Sequence, residues 1–320
     1  MKKTLSLIML VLVISTSFVF ANGASEETFP SGEVTIVVPY SPGGASDTVT
    51  RIIAKNVEPE LGVPVIVTNK TGASGSIAMD YVRKSEPNGY TICYMPVEST
   101  MVGALGYTDL KPADFDFVAG AMTISAAITV SADSPWNSVQ DLIAYAKENP
   151  GKVSVGNSGT GSIWHIAAAS LEEAEGIKFN HVPFEGAAPA IAALMGNHID
   201  VVTVSDSEVQ PNVENGDFKL LAVMGDKRSP AFPDVPTLKE LGIDVTAFGW
   251  GGFAVPAGTP DDVKATLEEA FKKSIESDDF AKLCAERGMT QNYMTGEEIQ
   301  TFANNQYDLY SELIPKLGIN

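Results

Sequence analysis

The chain has 320 residues, 44% of them hydrophobic and 19% charged, with no low-complexity tract. Its formal charge of -19, from 21 basic and 40 acidic residues, disfavours nucleic acid and anionic membranes as partners. The three histidines, at 165, 181 and 198, and the two distant cysteines offer no cluster with metal-ligand spacing.

Met1-Lys2-Lys3 precede an apolar run over residues 5–20, and Val19-Phe20-Ala21 fits a small-residue cleavage site. This is the pattern of a secretory signal peptide over residues 1–21. The run is short for a membrane span, and residues 22–27 (NGASEE) read as a polar mature N-terminus. No cysteine near the cleavage site offers a lipid anchor, so the mature protein is expected to be exported and soluble. Loss of Lys2 and Lys3 leaves 19 basic against 40 acidic residues, a formal charge of -21. About 300 mature residues exceed what one core usually covers, which favours two lobes. For Cys93 and Cys284, a disulfide and two buried thiols both stay open.

The β-branched run Val34–Val38 predicts a buried strand, ended by Pro39. Ser41-Pro42-Gly43-Gly44 is then a turn, and Ala45-Ser46-Asp47 opens a helix. Strand, glycine loop and helix N-terminus together aim several backbone N–H groups at one anion. A second strand is predicted over residues 63–67, and the glycine-serine loop at 69–76 opens a helix over 77–84. Pro87-Asn88-Gly89 turns the chain into a strand over 90–95. This alternation argues for a parallel sheet with right-handed crossovers, and for a ligand crevice at the carboxyl ends of its strands, near residues 41–46, 71–76 and 96–100.

Residues 119–130 form a weakly polar extended stretch suited to crossing into a second lobe. A capping box at Ser138-Val139-Gln140-Asp141 predicts a helix to Glu148. A strand over 153–155 leads into Gly156-Asn157-Ser158-Gly159-Thr160-Gly161-Ser162 and a helix carrying Trp164, His165 and Leu171. This is the second strand, small-residue loop and helix N-terminus, and the two devices are expected to face each other across a cleft. Strands over 178–182, 199–204 and 220–223 alternate with helices over 187–195 and to residue 214. Residues 249–256 (GWGGFAVP) suit a return crossing, and helices follow over 261–277, 279–287 and after the capping box Thr295-Gly296-Glu297-Glu298. The expected organisation is α/β: lobe one over 28–125 and 250–320, lobe two over 126–249, and a ligand cleft between two mixed sheets.

Catalysis is the weaker class. Gly156-Asn157-Ser158-Gly159-Thr160 resembles a nucleophile elbow, but Thr160 stands at the last glycine position and no base is designated for Ser158. An exported hydrolase using Ser158 and His165 is the alternative, although a core role suits His165 better. A third glycine for dinucleotide binding and a P-loop lysine are both missing, so no cofactor is expected. Neither anion loop contains lysine or arginine. Arg51, four residues after Asp47, reads as its helix-face partner.

Several short motifs occur in order: Val38-Pro39-Tyr40-Ser41-Pro42-Gly43-Gly44-Ala45-Ser46-Asp47, Gly72-Ala73-Ser74-Gly75, Pro87-Asn88-Gly89-Tyr90-Thr91, Gly159-Thr160-Gly161-Ser162 with His165, and Val182-Pro183-Phe184-Glu185-Gly186. Pro233-Asp234-Val235-Pro236-Thr237 and Pro256-Ala257-Gly258-Thr259-Pro260 complete the set. With these, the chain resembles the tripartite tricarboxylate transporter substrate-binding proteins, the TctC or Bug family, over essentially its whole mature length. The resemblance implies a type II periplasmic-binding-protein fold, a monomer that closes on a small carboxylate and delivers it to a membrane permease; a sensing subunit is a variant of that role. It implies that the ligand carboxylate lies against Tyr40, Ser41, Gly43, Gly44, Ala45, Ser46 and Asp47. Ser74 would sit beside it, with Ser158, Gly159, Thr160, Gly161, Ser162 and His165 opposite and Phe184 and Asp206 close by. Glu185 departs from the basic or amide residue the family often has, and Glu98 adds another acid near a strand end. As solvated surface residues both are neutral to binding. In the cleft they would favour a ligand with a cationic or hydrogen-bond-donating group beside its carboxylate.

Overall fold

A computed structural model of the chain describes residues 29–184 and 186–319. The signal-peptide reading at 1–21 and the side chain of Glu185 lie outside the described residues. Strands β1 (Val34–Val38), β2 (Val65–Asn69) and β3 (Thr91–Pro96) are parallel, with β1 in the middle. Four of the five β1 residues are fully buried, as an unbroken β-branched run requires when both faces of a strand are covered. Helix α1 (Ala45–Leu61) returns the chain from β1, and α2 (Ser76–Arg83) returns it from β2. The left-handed Gly62 at +69° stops α1 by donating its N–H to the Glu58 carbonyl.

The architecture turns on β4 (Phe115–Ser131), a 17-residue strand shared by two sheets. Residues 115–125 pair antiparallel with β9 (Phe248–Pro256), and from Ala126 onward the same strand pairs with β7 (Val201–Ser205) and β8 (Phe218–Val223). The strand order is β2-β1-β3-β9-β4-β7-β5-β6, with β5 (Ser154–Asn157) and β6 (Asn180–Pro183) parallel, and with β8 and β10 (Thr290–Thr295) also pairing with β4. Two mixed sheets therefore meet on one strand. Two register shifts along the β4–β9 pair add twist there. Gly252 permits that pairing, because a β-carbon would stand 2.7 Å from the Ala119 carbonyl oxygen of β4.

Around the second sheet lie α3 (Val139–Glu148), α4 (Ile163–Glu175), α5 (Ala187–Met195) and α6 (Asp206–Glu214). The C-terminal helices α7 (Asp261–Ile275), α8 (Asp278–Glu286) and α9 (Gly296–Leu317) return to the first. One apolar cluster joins the lobes: Met95, Val97, Met101 and Leu105 meet Ile163 and Ile166 of α4. Cys93 and Cys284 are buried free thiols, which removes the disulfide alternative. Strand β10 was not foreseen. Its sequence, TQNYMT, is exposed or half-buried throughout and lacks the apolar alternation that announces a strand.

The loop after β1 is set by one buried side chain. Asp47, 3% exposed, accepts hydrogen bonds from the Gly43 N–H at 2.9 Å, Arg51 Nε at 3.0 Å and Asn69 Nδ2 at 2.9 Å. Asn69 Nδ2 also donates to the Tyr40 carbonyl at 2.8 Å, so the end of β2 holds both ends of the loop. Burial alone would raise the Asp47 carboxyl, but the bonds from Arg51, Gly43 and Asn69 outweigh it and hold it below its ordinary value. Asp47→Ala should therefore cost about 2–4 kcal/mol, since three donors lose an ionised acceptor. A carboxyl lowered in the folded state stabilises the fold above its unfolded-state value and loses that contribution as pH falls through its folded value. Urea unfolding from pH 7 down to pH 3 should show the wild-type advantage intact above about pH 5 and shrinking below about pH 4. An advantage that persists unchanged at pH 3 would contradict this role for the charge.

Candidate ligand-binding cleft

A cleft of about 740 Å³ opens at the carboxyl ends of β1 and β3 and is lined from both sheets. From the first come Tyr40, Gly43, Gly44, Ala45, Ser46, Ser74 and Glu98, and from the second Ser158, Ser162, Trp164, Ser205, Ser207 and Glu208. Trp250, on β9, and Arg287, just past α8, complete the wall.

The N-terminus of α1 is open toward this space. Its N-cap residue, Gly44, is extended (φ -73°) and supplies no side chain, and the Gly43 N–H is held by Asp47. The next main-chain N–H groups, of Ala45 and Ser46, find no acceptor among the described residues. Unpartnered first-turn N–H groups at the positive end of a 17-residue helix can receive an anion. Gly44 needs no positive φ, contrary to the usual reason for a glycine in such a loop. It leaves the approach to Ala45 clear, with the nearest atom to an added β-carbon being the Ser41 carbonyl oxygen at 3.7 Å.

The loop of the second sheet is built differently. There Gly159 donates its N–H to Asn157 Oδ1 at 3.0 Å, Gly161 to His165 Nδ1 at 3.1 Å, and Ser162 to the Gly159 carbonyl at 3.1 Å. The Ser162 hydroxyl caps α4 by accepting from the His165 N–H at 3.2 Å. The N-terminus of α6 is closed as well: Ser205 and Glu208 form a reciprocal capping box, with Ser205 Oγ donating to Glu208 Oε2 at 2.6 Å. The two loops that look alike in sequence thus differ in what they leave free.

Eight of the sequence-predicted positions line the cleft: Tyr40, Gly43, Gly44, Ala45, Ser46, Ser74, Ser158 and Ser162. Others lie behind them. Asp47 ties the first loop, and Ser41 and Thr160 are exposed outside the lining. Gly159 and Gly161 shape the second loop, and a β-carbon on Gly161 (φ +74°) would strike Leu105 of the other lobe. His165 is buried with its ring 4.6 Å from that of His181, and burial, then His181, push it down to about 4. Phe184 packs over Gly156 rather than lining the cleft. Asp206 is 2% exposed, accepts from the Ser207 N–H at 2.9 Å, and is raised by burial to about 6.

Sequence reasoning missed Trp164, Trp250, Ser205, Ser207, Glu208 and Arg287. The pattern Ser205-Asp206-Ser207-Glu208 carries a readable capping-box signal, and a helix start after a strand is where a cleft residue belongs. Arg287 had no such signal, because only the packing of Gly288 against Ser207 and Gln210 carries the end of α8 to the cleft. Glu98 does face the cleft. Its Oε2 accepts from the Tyr40 hydroxyl at 2.9 Å. Burial raises its carboxyl, while its own N–H, the Tyr40 hydroxyl and the Ile163 N–H act the other way.

The family model described as the tripartite tricarboxylate transporter family receptor, TctC, matches residues 49–319. A protein encoded in the gbd 5′ region of Cupriavidus necator is 34% identical over 300 residues, covering 92% of this chain and 90% of its own length. A TctC solute binding protein from Polaromonas superposes with a TM-score of 0.81 at 38% identity, covering 90% of this chain and 100% of that one. An R. palustris protein solved with adipate superposes with a TM-score of 0.78 at 26% identity, over 91% of this chain and 99% of that one. With the family model matched over most of its length and relatives above 30% identity along nine-tenths of it, this chain belongs to the TctC family of periplasmic solute-binding proteins.

Proposed function

We propose that this chain is exported to the periplasm, captures a small carboxylate in the cleft between its lobes, and hands it to a membrane transporter. The observation that carries the reading is the pair of unpartnered N–H groups at Ala45 and Ser46, opening from the helix N-terminus into the cleft. In a protein of formal charge -19, an anion is best held by local dipoles rather than by the overall field. Closing the cleft would remove water and strengthen each of those contacts. The adipate held by the R. palustris relative is consistent with a carboxylate ligand here.

The lobes, 28–125 with 250–320 and 126–249, would move as two bodies about β4 and β9, since the sheets exchange partners between Ser125 and Ala126. Binding without chemistry is the reading the side chains favour. His165 is engaged through Nδ1 by the Gly161 N–H and packed on His181, which leaves it poorly disposed to serve Ser158 as a base.

Two outcomes test this. Gly44→Val should fold with near-wild-type stability, because the position has ordinary φ and open space. It should nevertheless lose at least about tenfold in affinity for small carboxylates by isothermal titration, since its side chain would stand before the Ala45 N–H. Unchanged affinity would sink the site. For export, N-terminal sequencing of secreted protein should begin at or near Asn22. Membrane-bound material with an intact Met1 would count against the periplasmic reading.

A further inference from the structure

The cleft wall carries four acids, Glu98, Glu208, Glu214 and Glu286, and one cation, Arg287. Of the acids, Glu98 is the one placed on the apposition of the two lobes. It lies in the short turn after β3, accepts from Tyr40 at the end of β1, and faces the Ile163 N–H in the first turn of α4. It therefore occupies the position that an external anion would take on the second helix N-terminus. Three other N–H groups of that loop, at Gly159, Gly161 and Ser162, are already bonded within the chain. A carboxylate brought beside Glu98 would meet a second carboxyl group already seated at the first turn of α4.

A second observation points to the ligand's acceptor end. The indole N–H of Trp250 is buried and finds no acceptor among the described residues, and Trp250 lines the same cleft. An orphaned buried donor calls for an acceptor supplied from outside the chain.

We propose that Glu98, held by Tyr40, is the specificity-determining residue of this cleft. It closes the second helix N-terminus to anions, so that the bound solute carries one carboxylate, toward α1, and a hydrogen-bond donor, a carboxamide or an ammonium, toward Glu98. The inference rests on the carboxylate reading above and sharpens it, because a plain dicarboxylate then fits one end of the site and is repelled at the other. Specificity of this kind comes as much from the repulsive element as from the attractive one.

The test is isothermal titration at pH 8 with three matched acids at two chain lengths. These are succinate, succinamate and 4-aminobutanoate, and adipate, adipamate and 6-aminohexanoate. For at least one length, the monoamide or the amine should bind wild-type protein at least about tenfold more tightly than the dicarboxylate. Amide and amine compared with each other show whether the donor is neutral or cationic. Glu98→Gln removes the charge and keeps an acceptor for Tyr40, so it should bring that ratio toward one or invert it while the dicarboxylate binds as well or better. A dicarboxylate that matches or exceeds its partners on wild-type protein would overturn the proposal and leave the carboxylate reading standing. An unchanged ratio in Glu98→Gln would do the same. Failure of all six acids to bind would overturn both. Should Glu98→Gln not fold, the wild-type ratio alone decides.

Discussion

The open helix N-terminus at the cleft depends on Asp47, a buried carboxylate that lies outside the cleft lining. An acid in the first turn of a helix normally answers the helix's own positive end, which would leave little for an anion arriving from solution. Asp47 is drawn aside instead, to Arg51, Asn69 and the Gly43 N–H. Its charge is met there, below the loop rather than in the cleft. The same bonds fix the chain on either side of Gly44, so the Ala45 and Ser46 N–H groups are presented rigidly without a partner. Preorganised donors cost little to align when a ligand arrives, which is where their advantage over a flexible lysine lies.

The second lobe is built on the opposite principle. Its helix N-termini, at α4 and α6, carry side-chain caps, Ser162 on the His165 N–H in one case and the Ser205–Glu208 box in the other, and Glu98 reaches α4 from the first lobe. An open end and a closed end across one cleft make the site polar in a directional sense. A solute with two identical anionic ends suits such a site less well than one with unlike ends. The apolar contact between Leu105 and Gly161 and the cluster around Met95 and Ile163 bring the two walls to this separation without adding a charge.

Much of this could be read from the residues. The unbroken β-branched run at 34–38, the glycine turn that follows, and the capping boxes at Ser138 and Thr295 announced their elements because the signals are local. The likeness of the two loops could be read too, but not their difference. Gly159-Thr160-Gly161-Ser162 looks as open as Ser41-Pro42-Gly43-Gly44 until Asn157 and His165 are seen to take the Gly159 and Gly161 N–H groups. Which donors remain free is decided by side-chain rotamers and tertiary contacts, on which sequence spacing is silent. For the same reason Arg287 and Trp250 reach the cleft unannounced, each carried there by packing across a long stretch of sequence. The polar strand β10 lacked a signal because its partner, β4, supplies the order that its own residues do not.

The central claim is that one helix N-terminus, and not two, receives the ligand's carboxylate. It is tested most directly by following backbone amide resonances of isotopically labelled protein during titration with adipamate and with adipate. The expected result is a downfield shift of the Ala45 and Ser46 amide protons with added protection from exchange, while Gly159, Gly161 and Ser162 hold their hydrogen bonds and move little. Large shifts at those three amides, with Ala45 and Ser46 unmoved, would contradict it.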